Sequence, residues 1–151
     1  MAGKTVNAEI DIDAPPEKVW DVLMDPWRLE EWVTIHRKLG EVSDRPLKKG
    51  SQLEQTLHLR GASFKVHWEV AGYDEGRCAK WEGTGPARSH SSTEYLLSPD
   101  GNGGTHFTYR NEFKAPLGPL GSVASRAVMG DAPEREAKKS LAKLKALLEK
   151  G

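Results

Sequence analysis

The side chains that could move a proton on a bound molecule are those of His36 and Tyr109. An imidazole titrates near neutral pH, and a phenol can donate a proton to a carbonyl oxygen. His36 follows residues 31–35 at the exit of a predicted short helix, where it could reach the mouth of a pocket or play a surface or structural role. We therefore treat both residues as candidates for acid–base catalysis.

Three neutral polar side chains, those of Gln55, Thr93 and Asn111, share the inferred inward face of their strands with apolar residues. A buried amide without a partner costs about 1–3 kcal/mol, so water, a ligand or another buried polar group must satisfy it. The pattern predicts a ligand cavity, and mutual hydrogen bonding within a filled core is the alternative. The predicted ligand-binding residues are Trp32, His36, Gln55, Leu57, Phe64, Val66, Trp68, Trp81, Thr93, Tyr95, Phe107, Tyr109, Asn111, Val123 and Ala127.

The elements that carry these residues are mostly strands, because apolar and polar residues alternate along several segments. A turn at Gly61 and Ala62, with the glycine first, would place Leu59 opposite Phe64 and Gln55 opposite Trp68. The turn-rich residues 99–104 precede the last strand. The predicted strands cover residues 5–13, 53–59, 64–70, 79–83, 93–97 and 107–113.

Two short helices are predicted between the first strand and the rest of the sheet. Asp13 should cap the first of them, with residues 15–16 in its first turn. Residues 29–33 predict the second helix, and Trp27 and Trp32 lie on nearly opposite sides of this region. At least one of these two indoles should therefore reach the core.

The tail of the chain predicts helix, because apolar residues recur at helical spacing through residues 120–128 and 137–148. We predict a break or kink near residues 130–133, which contain a glycine and a proline. Asp131 could cap the second helical segment, and Glu134 could complete a capping box.

Length and composition predict a single soluble domain over residues 1–151. The 22 Lys and Arg residues balance the 22 Asp and Glu residues, so no overall positive field would attract nucleic acid. The lone Cys78 excludes an internal disulfide and fits a reducing compartment, as an inert thiol or a nucleophile. No secretory signal or membrane span is recognisable, so we expect a cytoplasmic protein without integral membrane association.

No metal site and no cofactor are predicted. His58 and His67 share the outward face of the proposed hairpin but are diagonal to each other, so they do not converge on an ion. Residues 83–86 lack the lysine of a phosphate-binding loop. The serines around His90 lack the glycine elbow that holds a catalytic serine.

Residues 12–20, the tryptophan-flanked residues 27–32, the pair Gly104-Thr105 and residues 116–121 resemble the polyketide cyclase/dehydrase and lipid-transport family. This family belongs to the START-like, helix-grip superfamily, also called SRPBCC. The resemblance implies an α+β fold in which a curved seven-stranded antiparallel sheet wraps around a long C-terminal helix over a hydrophobic cavity. An additional strand near residues 39–43 would complete the sheet.

The resemblance is compatible with three functions. The first is transport, storage or sensing of a lipid or polyketide-like compound, and the second is a cyclase, aromatase or dehydratase that uses His36, Tyr109, Gln55 or Asn111. The third is a toxin-like module of a toxin–antitoxin pair, because residues 31–36 resemble a mycobacterial subgroup described in that way. The partners expected are accordingly a hydrophobic small molecule and, for the third function, another protein or a second copy of the chain.

Overall fold

The computed structural model describes residues 3–114 and 131–150 and places them in an α+β fold. The strands are β1 (Gly3–Ile12), β2 (His36–Val42), β3 (Gln52–Leu59), β4 (Ala62–Asp74), β5 (Cys78–Thr84), β6 (His90–Pro99) and β7 (Thr105–Lys114). The helices are α1 (Pro16–Leu23), α2 (Leu29–Trp32) and α3 (Ala132–Glu149). The seven strands form one antiparallel sheet in the order β1-β7-β6-β5-β4-β3-β2, which confirms the predicted helix-grip fold.

Alternation along the strands places one face of the sheet on the core. Val6, Ala8 and Ile12 of β1 are buried, as their even numbering predicted. The additional strand predicted near residues 39–43 is also present, and it begins earlier, at His36.

The register of the β3–β4 hairpin differs from the prediction by two residues. Leu57 pairs with Phe64 and Gln55 pairs with Val66, so the predicted pairing of Gln55 with Trp68 is wrong. The turn residues are Arg60 and Gly61, both at positive φ (52° and 80°), which makes glycine the second residue of the turn. A slip of two residues leaves every side chain on its original face, so the predicted inward face is correct.

The Gly104-Thr105 pair joins the start of β7 to the segment between β1 and α1. Thr105 is fully buried, and its hydroxyl group donates a hydrogen bond to the carbonyl oxygen of Ala14 at 2.7 Å. A Cβ atom at Gly104 would lie 2.8 Å from the carbonyl oxygen of Ile12, so a side chain there would push the two strands apart. These contacts explain why a residue without a side chain, Gly104, precedes β7 and why a residue with a short hydroxyl side chain, Thr105, begins it.

Helix α1 begins at Pro16, too far along the chain for Asp13 to be its N-cap residue. Pro15 occupies the N-cap position with an extended backbone, and no side chain caps the helix. Asp13 is therefore not the cap, and its backbone N–H donates instead to the Glu149 carboxylate at 2.8 Å. Trp32 of α2 is 2% exposed whereas Trp27 is 42% exposed, which confirms that one of these indoles reaches the core.

The C-terminal helix α3 begins at Ala132, within the region of the predicted break. Asp131 precedes it without a capping hydrogen bond, so the predicted capping box is absent, and its carboxylate pairs with Arg135 at 2.9 Å. The predicted helix over residues 120–128 lies outside the described residues. None of the described helices is long and apolar enough to cross a lipid bilayer.

Hydrogen bonds attach both halves of α3 to the connections on either side of α1 and α2. At the end of its first half, the Ser140 hydroxyl accepts from the Thr34 backbone N–H at 3.0 Å. Near its end, the Lys145 ammonium group donates to the carbonyl oxygen of Asp11 at 2.8 Å, and Glu149 accepts from the Asp13 backbone. The helix is therefore fixed over the inner face of the sheet, where Leu141 and Leu144 on its lower side are buried.

Candidate functional site

A cavity of about 160 Å³ lies between the inner face of the sheet, α2 and α3. Its size compares with that of apolar cavities of about 150 Å³ that bind benzene. The predicted residues that line it are Trp32, Gln55, Leu57, Phe64, Val66, Trp68, Trp81, Thr93, Tyr95, Tyr109 and Asn111. The inward parity of five strands, β3 to β7, therefore brings most of the predicted site together.

Two predicted residues do not line the cavity. Phe107 is completely buried beneath Tyr95, with the two ring centroids 5.7 Å apart, so it belongs to the core below the cavity. His36 lies behind Gln55 rather than at the cavity mouth, because β2 begins at His36 itself and pairs it with Leu57. Val123 and Ala127 lie outside the described residues.

Several lining residues were not predicted as part of the site. α3 contributes Pro133, Glu136, Ala137, Ser140 and Leu141, which recur at the three- and four-residue spacing of one helical face. The helical spacing of Ala137 and Leu141 was visible in the sequence, but we used it only to predict the helix and not the residues that line a cavity. The other additional residues are Lys4, Val6, Leu23, Pro26, Leu29, Val33, Ile35, Leu47, Leu53, Leu59, Gly85, Pro86, Ser89, His90, Ser91 and Phe113.

Aromatic rings form a continuous wall along the sheet side of the cavity. Trp68, Trp81, Tyr95 and Tyr109 follow one another with centroid separations of 6.4, 6.4 and 6.1 Å. Gly83 makes room for this wall, because a Cβ atom there would lie 2.6 Å from Cζ3 of Trp68. Such a wall offers large apolar area with few rotatable bonds.

At the β3 side of the cavity, the Gln55 amide is engaged at both ends. Its Oε1 atom accepts a hydrogen bond from the Trp68 indole N–H at 2.9 Å, and because an indole nitrogen only donates, this contact fixes the orientation of the amide. Nε2 of Gln55 must then donate to Nδ1 of His36, which lies 2.9 Å away. His36 is therefore neutral with its proton on Nε2.

The position of His36 has an electrostatic consequence. Partial burial lowers the pKa of its imidazole, and the nearby Glu30 carboxylate opposes this effect. Because its Nδ1 lone pair is held by Gln55, the imidazole supports the cavity wall and does not present a base to the cavity.

At the β6–β7 side, Asn111 is engaged only through its oxygen. The hydroxyl groups of Ser91 and Thr93 donate to Oδ1 at 2.6 and 3.1 Å. The shorter distance is typical of an O–H···O bond and lies below the usual range of an N–H···O bond, which favours this orientation of the amide. No hydrogen bond to another described residue engages the Asn111 amide nitrogen.

Two tyrosines next to Asn111 remain protonated. Burial raises the pKa of Tyr109 to about 12. Burial, together with the neighbouring Tyr109, also raises the pKa of Tyr95. Both phenols are thus hydrogen-bond donors at neutral pH, and within the described residues their hydroxyl groups make no hydrogen bond.

The two alternatives for the polar residues are therefore both present. Gln55, Ser91 and Thr93 hydrogen-bond to other side chains, as in a filled core, whereas the Asn111 nitrogen and the tyrosine hydroxyls keep donors without described partners. The buried indole N–H groups of Trp32 and Trp81 also lack a partner among the described residues.

A family model for polyketide cyclase / dehydrase and lipid transport matches residues 4–149. A protein of Mycobacterium tuberculosis named as a toxin is 26% identical over 132 residues, which cover 85% of this chain and 90% of that protein. An uncharacterised protein of the same organism is 29% identical over 129 residues, 84% of this chain and 90% of that protein.

Solved structures of the same fold include an aromatase/cyclase from a Streptomyces species. It superposes with a TM-score of 0.77 at 16% identity, covering 99% of this chain and 95% of that chain. A Thermus thermophilus protein superposes with a TM-score of 0.75 at 17% identity, covering 97% and 98% of the two chains. At these identities the similarity shows the fold alone.

Proposed function

The chain belongs to the polyketide cyclase/dehydrase and lipid transport family, and from this premise we propose that it binds a hydrophobic small molecule in the cavity beneath α3. The observation that carries this proposal is the aromatic wall of Trp68, Trp81, Tyr95 and Tyr109 facing an open volume of about 160 Å³. Burial of each CH₂ group of a ligand against such a wall contributes about 0.8 kcal/mol.

The uncharged polar side chains of the aromatic wall and its neighbours support binding rather than acid–base chemistry. His36 is engaged with Gln55, and the raised pKa of Tyr109 keeps its phenol protonated. The titratable groups that do line the cavity include His90, which is hydrogen-bonded to Glu82 at 2.7 Å, and Glu136. A neutral apolar molecule fits such an interior better than a reaction that requires a poised base.

Native mass spectrometry after mild purification tests the proposal, together with quenching of tryptophan fluorescence by added hydrophobic compounds. We expect a co-purified or added small molecule to bind one site per chain. Leu57→Trp should fill part of the cavity and weaken binding at least tenfold. Thr56→Trp adds the same indole to the outward face of the same strand and should leave the affinity unchanged.

Two outcomes would contradict the proposal. One is the absence of binding by lipids, quinones and aromatic ketones alike. The other is equal binding by the Leu57→Trp and Thr56→Trp variants, which would place the ligand outside the cavity.

The relative named as a toxin supports a second candidate, a toxin-like function exerted on another protein. Expression of the chain should then arrest growth, and the product of a neighbouring gene should relieve the arrest. The Leu57→Trp variant separates the two candidates, because a surface interaction would survive filling of the cavity whereas a ligand-dependent one would not.

A further inference from the structure

The two side-chain amides of the cavity are unequal to a ligand, because both amide oxygens are bonded within the protein while the Asn111 nitrogen has no described partner. Resting on the proposed function, we propose that the cavity selects hydrophobic ligands that carry a carbonyl-type acceptor oxygen, and that Asn111 and Tyr109 donate the hydrogen bonds that hold this oxygen.

Asn111 supplies the first donor. Its Oδ1 atom accepts from both Ser91 and Thr93, so the amide nitrogen, with two N–H groups, is the part left for a ligand. Thr93 pairs directly with Asn111 across β6 and β7, which holds the amide rigidly on the inner face of the sheet. A ligand acceptor placed there would satisfy a donor that no described residue satisfies.

Tyr109 supplies the second donor from the same face of β7, two residues away from Asn111. Its cross-strand neighbour Tyr95 lies with its ring centroid 6.1 Å from that of Tyr109, so the phenols form one patch with Asn111. A phenol can accept a hydrogen bond as well as donate one, but the amide nitrogen can only donate. The patch as a whole therefore favours an acceptor on the ligand.

The other amide of the cavity does not compensate for this bias. The oxygen of Gln55 accepts from Trp68, and one of its N–H groups donates to His36. The acceptor that a donor group on a ligand would need is therefore already bonded. The partnerless indole N–H groups of Trp32 and Trp81 add to the excess of donors. The lining of α2 is apolar, and the two polar residues that α3 contributes already have partners: the Ser140 hydroxyl accepts from Thr34, and the Glu136 carboxylate accepts from Lys139 at 3.4 Å.

Three bicyclic probes of similar size test the inference on the unmodified protein. α-Tetralone carries only an acceptor, indole carries only an N–H donor, and tetralin carries neither. Because a net hydrogen bond is worth a factor of roughly two to ten in affinity, we expect α-tetralone to bind about fivefold to tenfold more tightly than tetralin. Indole should show no such gain. The carbonyl stretch of bound α-tetralone should also move to lower wavenumber than in hexane.

The Asn111→Asp variant replaces the amide N–H groups by a carboxylate oxygen with little change of shape. We expect it to lose the preference for α-tetralone over tetralin and to lose part of the infrared shift. Asn7→Asp is the matched control, because this substitution makes the same chemical change at an exposed position of β1. It should retain the preference of the unmodified chain.

The outcomes separate this inference from the proposed function. If none of the probes binds, the cavity function fails and the inference fails with it. If tetralin and indole bind as tightly as α-tetralone to the unmodified protein, the cavity function stands and the inference is overturned. Should Asn111→Asp not fold, the affinities and the infrared shift of the unmodified protein still decide between these results.

Discussion

Gln55 and Asn111 are two side-chain amides on the same inner face of the sheet, and the difference between them shows what makes a buried polar group structural. Gln55, on β3, is bonded at both its oxygen and its nitrogen by Trp68 and His36. Asn111, on β7, is bonded only at its oxygen. The first amide completes the wall of the cavity, whereas the second keeps a donor for a guest. Both side chains end in an amide and lie on the inner face, so the hydrogen-bond partners make the difference in role.

Gly83→Ala should have the largest effect on this comparison, because the added methyl group would meet Trp68, which donates a hydrogen bond to Gln55. The new methyl group would lie 2.6 Å from the Trp68 ring, and overpacking of this kind costs about 1–3 kcal/mol of unfolding free energy. The Trp68 indole should move, which near-ultraviolet circular dichroism and urea denaturation would both detect.

Gly72→Ala is the matched control for this change. The three atoms nearest to a Cβ atom at Gly72 all belong to the side chain of Lys80, and the closest, Cβ, would lie 3.2 Å away, so a shift of a few tenths of an ångström would relieve the contact. Equal destabilisation by the two variants would mean that the Trp68 packing does not depend on Gly83.

Removal of each amide should produce the next largest difference. Gln55→Leu leaves the Trp68 indole N–H without an acceptor, so we expect the unfolding free energy to fall by about 1–3 kcal/mol. Asn111→Leu should cost less, about 0.5–1.5 kcal/mol, because the hydroxyl groups of Ser91 and Thr93 can rotate toward other acceptors. Urea denaturation of the two variants measures the difference, and a larger loss for Asn111→Leu would reverse our assignment of the structural amide.

Of the two amides, Gln55 is the one that is hydrogen-bonded to a histidine, so a change of pH should act on its side through His36. The pKa of His36 is lowered by burial, so this imidazole favours folding in its neutral form above the usual histidine pKa, and that stability is lost as the pH falls through the pKa in the folded protein. Protonation also places an N–H opposite the Gln55 amide nitrogen, so the bond to Trp68 should weaken. The Trp68 indole N–H resonance should therefore follow the His36 titration in NMR spectra. An indole resonance that stays constant through that titration would disprove the coupling.

His106, on the outer face of the sheet, should change stability with pH in the opposite direction to His36. We expect this effect to be the smallest. Its hydrogen bond to Asp11 at 2.7 Å, with further help from Glu9, raises its pKa. Its contribution to stability is therefore present below the usual histidine pKa and lost as the pH rises through the pKa in the folded protein. The pair is largely solvent-exposed, so the effect should be small. Asp11→Asn should bring the titration of His106 back toward the usual value without moving that of His36.

The fold and the faces of its strands were predictable because a period of two does not depend on strand pairing. The inward positions of Gln55 and Leu57 were right even though the hairpin register was wrong by two residues. That register depends on the turn, in which Arg60 adopts a positive φ. Arginine is not a residue type from which a positive φ would be predicted. Local patterns therefore predicted the faces but could not predict which residues lie opposite each other.

The parts of the site that could not be predicted depend on contacts between distant segments. The role of His36 depends on Gln55, 19 residues away, and the free nitrogen of Asn111 depends on Ser91, 20 residues away. Depth was equally hidden, since Phe107 has the same parity as Tyr109 but lies beneath Tyr95. Alternation predicts the face of the sheet on which a side chain lies. Whether that side chain lines the cavity also depends on its depth in the core.

The attachment of α3 at both halves has a consequence for the thermodynamics of binding. Bonds from Ser140 to Thr34 and from Lys145 to Asp11 position this helix through contacts outside the aromatic wall. The binding free energy of a ligand therefore does not have to offset the entropy lost in ordering that helix. Preorganisation of this kind favours affinity. Heat released on binding should then arise mainly from the guest and the side chains that touch it, and calorimetry should record a negative heat-capacity change set by the apolar area that the guest covers.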